Sequence, residues 1–480
     1  MGNSLKKDLL KGSFWSVVGQ FLTLIIAFIT NIWLARILSP EEFGRIGIVM
    51  FFITIMSVLT ESGLGGALVR NKNATITDYS TVFFTNLFFS IIIYLVVALC
   101  SYPISSYYND GSLRVLLLVS SLVVIINSLQ ISQDAKLISD LKFKQKYIYK
   151  FIATIASSFI GIVMAYSDFG IWSLIVMQLL NSLIYGLCLW MCEKIFLKLI
   201  FSTESFKKVF SFGIFTTVSS LFNSFFDNVY QLILAKYFSV IQTGNYYQAK
   251  RIQDVPGGIL NVLSQGVIFS SLSKLQDNSS EFLRVYNLIS KVFAMILGFI
   301  SLLFYLYSRD IILILFGEKW IGSIFYMQVL TLASFFYMQE TFNRVVFKVF
   351  NKTKFILYCD FVKKVVQSIS IIIAVYYKNL ELLIFGFVIS SIFGYVLNFL
   401  VSRKVIGNTG FYELKIVGKI TTVCIFLCSL YLAIDNIMQF EFLIRILSIP
   451  LICLLYISSL LLMRVVSLVE IRRLLKIGNR

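Results

Sequence analysis

The sequence predicts an all-α integral membrane protein of about fourteen transmembrane helices, two six-helix bundles related by a parallel repeat plus two C-terminal helices. Three observations predict it. Hydrophobic residues make up 58% of the 480 and charged residues only 14%, with a mean hydropathy of +0.86. A soluble domain carries about a quarter charged residues, so this chain lacks the polar surface to cover a water-soluble globule. The apolar residues fall in long unbroken runs near the roughly 20 residues a bilayer-spanning helix needs, not in the alternating strands of about ten of a membrane β-barrel. Finally, the stretch 11–48 has an echo about 200 residues later: Leu34-Ala35-Arg36, Ser39 and Gly44 correspond to Leu234-Ala235-Lys236, Ser239 and Gly244.

Taken in order, the predicted spans are 13–35, 44–69, 80–103, 113–135, 148–167, 169–191, 209–236, 244–272, 285–307, 323–347, 355–377, 380–402, 416–435 and 442–464. Short breaks separate them, at Ser39-Pro40-Glu41-Glu42, Tyr107 to Gly111, Asp168 and Lys378-Asn379. Pro40 with Glu41 and Glu42 reads as the first turn of a helix, where proline is tolerated and acids meet the helix dipole. The first run is longer than a signal-peptide core and lacks a small-residue cleavage site, so with Lys6, Lys7 and Lys11 it reads as an uncleaved anchor with a cytoplasmic N-terminus. About three-quarters of the 42 basic residues fall on alternate breaks beginning with that end, which predicts an even number of spans and two cytoplasmic termini. An echo displaced by six spans keeps its orientation, so the repeat is parallel. The expected boundaries are 1–200 for the first bundle, 201–404 for the second, and 405–480 for two further helices and a basic cytoplasmic tail.

The net charge of +18 is explained by membrane topology and contact with lipid headgroups, so no nucleic-acid partner is expected. The seven cysteines lie in or beside apolar runs and the chain has no histidine, which argues against a zinc site, a disulfide framework and histidine-based catalysis. No metal and no cofactor is expected.

Polar residues follow helical spacing. Ser16, Gln20, Thr23 and Thr30 stripe the first span with Asn31 beside them, and Thr216, Ser220, Asn223, Asp227 and Tyr230 stripe its counterpart. The second span carries Glu61, and the eighth carries Tyr247, Lys250, Asp254 and Asn261 with Arg251 adjacent. Single hydroxyls and amides read as helix-to-helix hydrogen bonding. Charges are costly against lipid, so Glu61, Asp227, Lys250, Arg251 and Asp254 are expected to turn toward a water-filled cavity. Asn127, Gln130 and Asp134 mark the fourth span, and Glu340, Arg344 and Lys348 the tenth. Lys136 to Lys150 read as topology-setting charges.

Lysine and arginine recognise phosphate. Lys250 and Arg251, with Arg36, Arg45 and Lys236 at neighbouring turns, are placed to attract a diphosphate, and Tyr230, Tyr246 and Tyr247 to stack on sugar rings. The substrate-binding candidates are Lys250, Arg251, Asp254, Asp227, Asn223, Asn261, Gln20, Asn31 and Tyr247. The ion-coupling candidates are Glu61, Asp227 and Asp254, since carboxylates are the available carriers for a proton or sodium ion.

Several segments resemble one family. These are FWSVVGQFLTLIIAFITNIWLARILSPEEFGRIGIV near the start, Glu61-Ser62-Gly63-Leu64 with Gly65-Gly66-Ala67-Leu68-Val69, DFGIWSLIVMQL at 168–179 and TGNYYQAKRIQDVPG at 243–257. Over roughly 5–400 the chain resembles Wzx-type polysaccharide (O-antigen) flippases, in the polysaccharide transporter branch of the multidrug/oligosaccharidyl-lipid/polysaccharide exporter (MOP) superfamily. The resemblance implies two six-helix bundles in a V around a basic cavity, with Lys250 and Arg251 contacting a diphosphate. It implies the movement of undecaprenyl-diphosphate-linked oligosaccharide across the bacterial inner membrane by alternating access. A monomer, working with membrane lipids, a polysaccharide polymerase and chain-length machinery, is the expected arrangement. Two other readings are a multidrug exporter of the same superfamily and a membrane glycan polymerase or ligase.

Overall fold

The computed structural model describes residues 2–61, 63–71, 73–193, 198–263, 268–407, 410–438 and 442–466, and the statements below refer to these. The chain forms two compact units, Met1–Gln248 and Ala249–Arg480. The first contains α1 (Gly2–Ile37), α2 (Pro40–Glu61), α3 (Leu64–Arg70), α4 (Ile76–Tyr108), α5 (Ser112–Ser128), α6 (Ile131–Ser139), α7 (Phe143–Tyr166), α8 (Trp172–Cys192) and α9 (Thr203–Tyr237). The chain passes into the second unit within α10 (Val240–Leu263). There it continues as α11 (Phe269–Ser273), α12 (Ser279–Leu306), α13 (Ser308–Phe316), a 3₁₀ turn at Glu318–Trp320, α14 (Ser323–Val349), α15 (Lys354–Tyr376), α16 (Leu380–Ile406), α17 (Tyr412–Met438) and α18 (Phe442–Leu462).

Each of the fourteen expected spans falls on a helix or a broken helix. Among the described residues, eight helices are long and apolar enough to cross a membrane, and nine if α5 and α6, bent by 42° at their junction, make one broken span. The spans on α10, α14 and α15 are not among them, and each carries charges. Those are Lys250, Arg251 and Asp254 on α10, Glu340, Arg344 and Lys348 on α14, and Asp360, Lys363 and Lys364 on α15.

The packing is inverted relative to a water-soluble protein. Leu99 is 80% exposed and Leu447 74%, whereas Asn86, Ser90, Ser132 and Gln133 are fully buried. Lipid is the solvent for the outward faces, and polar groups turn inward, away from it. Ser90, for example, donates to Ser128 across α4 and α5 at 3.1 Å.

Helix starts follow local chemistry. The Ser39 amide donates to the Glu42 carboxylate at 2.8 Å and the Glu42 amide to the Ser39 hydroxyl at 3.3 Å, a capping box with Pro40 in the first turn of α2. Thr75 and Asp78 make the same box ahead of α4, with Asp78 accepting from the Thr75 amide at 2.8 Å.

The repeat is visible in the backbone. Leu38 bonds back to Leu34 and Thr243 to Ser239, as Phe238 does to Leu234 and Phe43 to Ser39. Further along, Leu141 and Asn351 both take left-handed φ, near 56° and 54°, and so do Asp168 and Lys378, near 61° and 48°. The same residue interval separates both pairs. The hydrogen bonds of the turns correspond too: Lys142 to Leu137 and Lys352 to Phe347, Phe169 to Met164 and Asn379 to Ala374. This interval is ten residues longer than the one separating Ser39 from Ser239. The second half therefore carries an insertion between the two landmarks.

Candidate functional site

In the first unit, residues from α1, the α2–α3 region, α5 to α9 and their junctions enclose a cavity of about 850 Å³. Its wall mixes apolar surface with amides and hydroxyls from Thr23, Asn127, Gln130, Thr154, Asn181 and Ser182, and from Thr217 and Ser220 on α9. Neighbouring bonds orient these groups. Gln130 donates through Nε2 to the Ser182 carbonyl at 2.6 Å, and the Ser182 hydroxyl donates to Asn127 Oδ1 at 2.6 Å. Asn181 Nδ2 donates to Thr154 at 3.3 Å and to Ser157 at 3.2 Å. The break between α5 and α6 falls at Leu129 and Gln130, and it brings Gln130 and Asp134 to the cavity wall.

Charges complete the site. Asp134 accepts from the Lys146 ammonium at 2.7 Å and from the Tyr185 hydroxyl. Lys150 sits over the Tyr185 ring, 5.6 Å from its centroid. Glu61, at the end of α2, lies on the same wall. Two carboxyl groups, Glu61 and Asp134, and the Lys150 ammonium thus line one chamber whose other polar groups are neutral hydrogen-bonding ones. Such a surface suits a hydroxyl-rich solute.

At the interval that relates the two turn pairs, Asp134 corresponds to Arg344 and Lys150 to Asp360, so the second unit reverses both charges. Gln130 corresponds to Glu340, Ala153 to Lys363 and Thr154 to Lys364. There the charges pack solidly together. Glu340 is fully buried and accepts from Lys363 at 2.6 Å and from Arg344, which also donates to Asp360. Ala153 and Thr154 leave space that the two lysines fill in the other unit.

The sequence-predicted residues are dispersed. Glu61 joins the cavity. Gln20 on α1 is half-buried, and Asn31 on the same helix is buried. On α9, Asn223 is half-buried and Asp227 exposed. Tyr247 on α10 is buried with its ring centroid 6.4 Å from that of Phe43. Lys250 and Arg251 are half-buried and Asp254 exposed, all in the second unit. Asn261 lies on α10, with its side chain outside the described residues. Arg45 and Lys236, expected to help attract a diphosphate, are engaged within the first unit. Arg45 pairs with Asp110 at 2.7 Å and Glu41 at 2.9 Å, and Lys236 lies 3.9 Å from the Tyr107 ring centroid. Burial would raise the Asp110 carboxyl, but hydrogen bonds from Ser112 and Arg45 overcome it and hold the group below its usual range.

Lys146 and Lys150 are the site residues that charge counting misassigned to topology. The available signal was their spacing: both lie on the face of α7 that meets Asp134 and Tyr185, one turn apart.

The profile of the family described as polysaccharide biosynthesis protein matches residues 33–325. The chain belongs to that family. It is 24% identical over 349 residues, 69% of each chain, to a Klebsiella pneumoniae protein described as an uncharacterized membrane protein in the cps region. It is 24% identical over 311 residues to the succinoglycan biosynthesis transport protein ExoT of Rhizobium meliloti, covering 64% of this chain and 62% of that one, less than two-thirds of its length. It is 25% identical over 338 residues to the lipopolysaccharide biosynthesis protein WzxC of Escherichia coli, covering 68% and 67%. Among solved structures, the lipid II flippase MurJ in an inward closed conformation superposes with a TM-score of 0.72 at 17% identity, covering 93% of this chain and 98% of that one. An inward-facing multidrug resistance MATE transporter gives 0.66 at 17% identity, covering 80% and 94%. These likenesses show the fold of the MOP superfamily. The chain is a multi-pass membrane protein of the polysaccharide biosynthesis family.

Proposed function

We propose that this transporter moves undecaprenyl-diphosphate-linked oligosaccharide units from the inner to the outer leaflet of the cytoplasmic membrane, for surface polysaccharide assembly. The observation that carries the reading is the cavity of about 850 Å³, into which amides, hydroxyls and a few charges project within a bundle of a polysaccharide biosynthesis family member. Sugar hydroxyls need donors and acceptors when they leave water, and Asn127, Gln130, Asn181 and Ser182 supply them. Lys250 and Arg251 are the candidate diphosphate contacts, with Gln20, Asn31, Asn223, Asn261 and Tyr247 along the route. Transport proceeds by alternating access. Glu61, Asp227 and Asp254 are the candidate carriers of a coupling proton or sodium ion. The transporter acts as a monomer with both termini cytoplasmic and hands its product to a polysaccharide polymerase and its chain-length machinery.

Deleting the gene and analysing lipid-linked intermediates tests this. The expected result is accumulation of a completed, cytoplasm-facing unit with loss of surface polysaccharide, reversed by the intact gene. Normal surface polysaccharide together with altered drug resistance would overturn the reading in favour of a multidrug exporter.

A further inference from the structure

The second unit contains a carboxyl group whose surroundings count its protons. Glu413 lies in the first turn of α17, outside the six-helix repeat, and is only 3% exposed. Its Oε1 accepts from Asn343 Nδ2 on α14 at 2.8 Å, and its Oε2 lies 2.6 Å from the Tyr286 hydroxyl on α12. That same hydroxyl lies 2.6 Å from Asn343 Oδ1, so three side chains close a ring. Asn343 Nδ2 also donates to the Gln339 carbonyl at 3.2 Å. Ser402 on α16 approaches Asn343 Oδ1 at 3.0 Å and the Phe399 carbonyl at 2.9 Å.

Tyr286 has one proton and two oxygen neighbours at 2.6 Å, Asn343 Oδ1 and Glu413 Oε2. If Glu413 were ionised, one of these short oxygen pairs would hold no hydrogen. Turning the Asn343 amide over does not help: its oxygen would then face the Gln339 carbonyl and Glu413 Oε1, both acceptors. Every contact is satisfied when Glu413 carries the proton, donating to Tyr286, which donates to Asn343, whose amide returns a hydrogen bond to Glu413.

No cation disturbs this count. Among the described residues no ion pair reaches Glu413, and the charge and hydrogen-bond contacts of its carboxyl are with Tyr286, Asn343 and Tyr395. The titratable groups that face the carboxyl are Tyr286 from α12 and Tyr395 from α16, while α14 contributes only amides. The N-terminus of α17 favours a carboxylate, but that weak effect yields to the cost of burying an unpaired charge. Tyr395 supplies a second observation. It is 1% exposed, and its hydroxyl faces the Glu413 carboxyl without closing a hydrogen bond of ordinary geometry. It is a ready donor for the carboxylate that proton release would create.

We propose that Glu413 is a proton-binding site of this transporter, a carboxylic acid in the described state, with Tyr395 as the donor that receives it when the proton leaves. The bound proton joins α12, α14 and α17 through one hydrogen-bonded ring, braced from α16 by Ser402, and its release loosens α17 from the repeat. The site is separate from the carboxylates Glu61, Asp227 and Asp254. Its part in transport rests on the flippase reading; the protonation itself does not.

Infrared difference spectroscopy of the full-length protein in membranes at neutral pH tests the proton. Glu413→Gln keeps the ring, because its amide donates to Tyr286 and its carbonyl accepts from Asn343. The expected wild-type-minus-E413Q spectrum contains the carbonyl stretch of a buried carboxylic acid. A spectrum without that band overturns the site. In a deletion host, E413Q made at wild-type levels is expected to lose polysaccharide export, since its ring cannot open by losing a proton. Full export by E413Q would show a purely structural acid and overturn the transport role. Tyr395→Phe is expected to keep the band and slow export, and undiminished export would remove Tyr395 from the cycle. If the wild type itself moves no lipid-linked glycan, the flippase reading fails while the spectroscopic result still stands.

Discussion

Glu340 has its charge fixed by direct partners. Its carboxylate is fully buried and held from two sides, by Lys363 at 2.6 Å and by Arg344. Breaking a buried pair leaves an uncompensated charge, whereas replacing both partners with neutral groups can be nearly harmless. Lys363→Met is therefore expected to lower stability by about 3 kcal/mol, and the double variant Glu340→Gln/Lys363→Met to recover part of that loss. Thermal unfolding of the detergent-purified protein measures both, and a double variant no better than the single one would contradict the coupling. Lys136–Asp140 serves as the contrast, a helix-surface pair at 2.9 Å with side chains 43% and 32% exposed. Lys136→Ala should change stability by less than about 0.5 kcal/mol, because exposed pairs contribute little.

At the level of elements, the decisive contact is the close approach of α2 to the first turns of α10 within the first unit. A Cβ added to Gly44 would overlap the carbonyl oxygen of Val240, and one added to Gly244 would overlap that of Pro40. Pro40 and Val240 are themselves equivalent in the repeat, so equivalent residues face each other about a local twofold axis. On a free helix, alanine is better than glycine by about 0.8–1.0 kcal/mol. Here the sign should reverse. Gly44→Ala and Gly244→Ala are each expected to destabilise by about 1–3 kcal/mol, as overpacking does. Gly66, with open space around it, should gain or be neutral on the same change. Equal responses at Gly44 and Gly66 would show that the crossing is loose.

The helices were legible because apolar runs of bilayer length have few alternatives, and the turns because proline, glycine and asparagine punctuate them. The site was less legible for a physical reason. Lys146 and Lys150 stand close to the inner end of α7, where charge counting assigns lysines to topology, and only the fold shows Asp134 and Tyr185 facing them. Glu340 and Arg344 stood out on the tenth span, but only the fold shows Asp360 and Lys363 packed against them. Glu413 drew no notice, since its neutral partners Tyr286 and Asn343 lie on two other helices, far away in sequence. By contrast Glu61 was found from its helix alone, because a lone acid inside an apolar span has few structural uses.

For the whole molecule, the repeat fixes a topological consequence. Leu141 and Asn351 are equivalent turns, as are Asp168 and Lys378, and each pair shares its left-handed backbone and its closing hydrogen bonds. In a parallel repeat, equivalent turns lie on the same side of the membrane; in an inverted repeat they lie on opposite sides. The basic residues around the first pair, Lys142, Lys144 and Lys352 among them, lead to the expectation that it lies on the cytoplasmic side. Single cysteines can decide this once the seven native ones are replaced. Leu141→Cys and Asn351→Cys should both resist a membrane-impermeant thiol reagent added to intact cells, or to spheroplasts if an outer membrane is present, and both react after lysis. Asp168→Cys and Lys378→Cys should both react from outside. Opposite accessibility within either pair would refute the parallel arrangement. Reversed accessibility of all four would keep the repeat and turn the whole chain over, moving both termini to the outer face and the ring around Glu413 from the inner end of the membrane to the outer one.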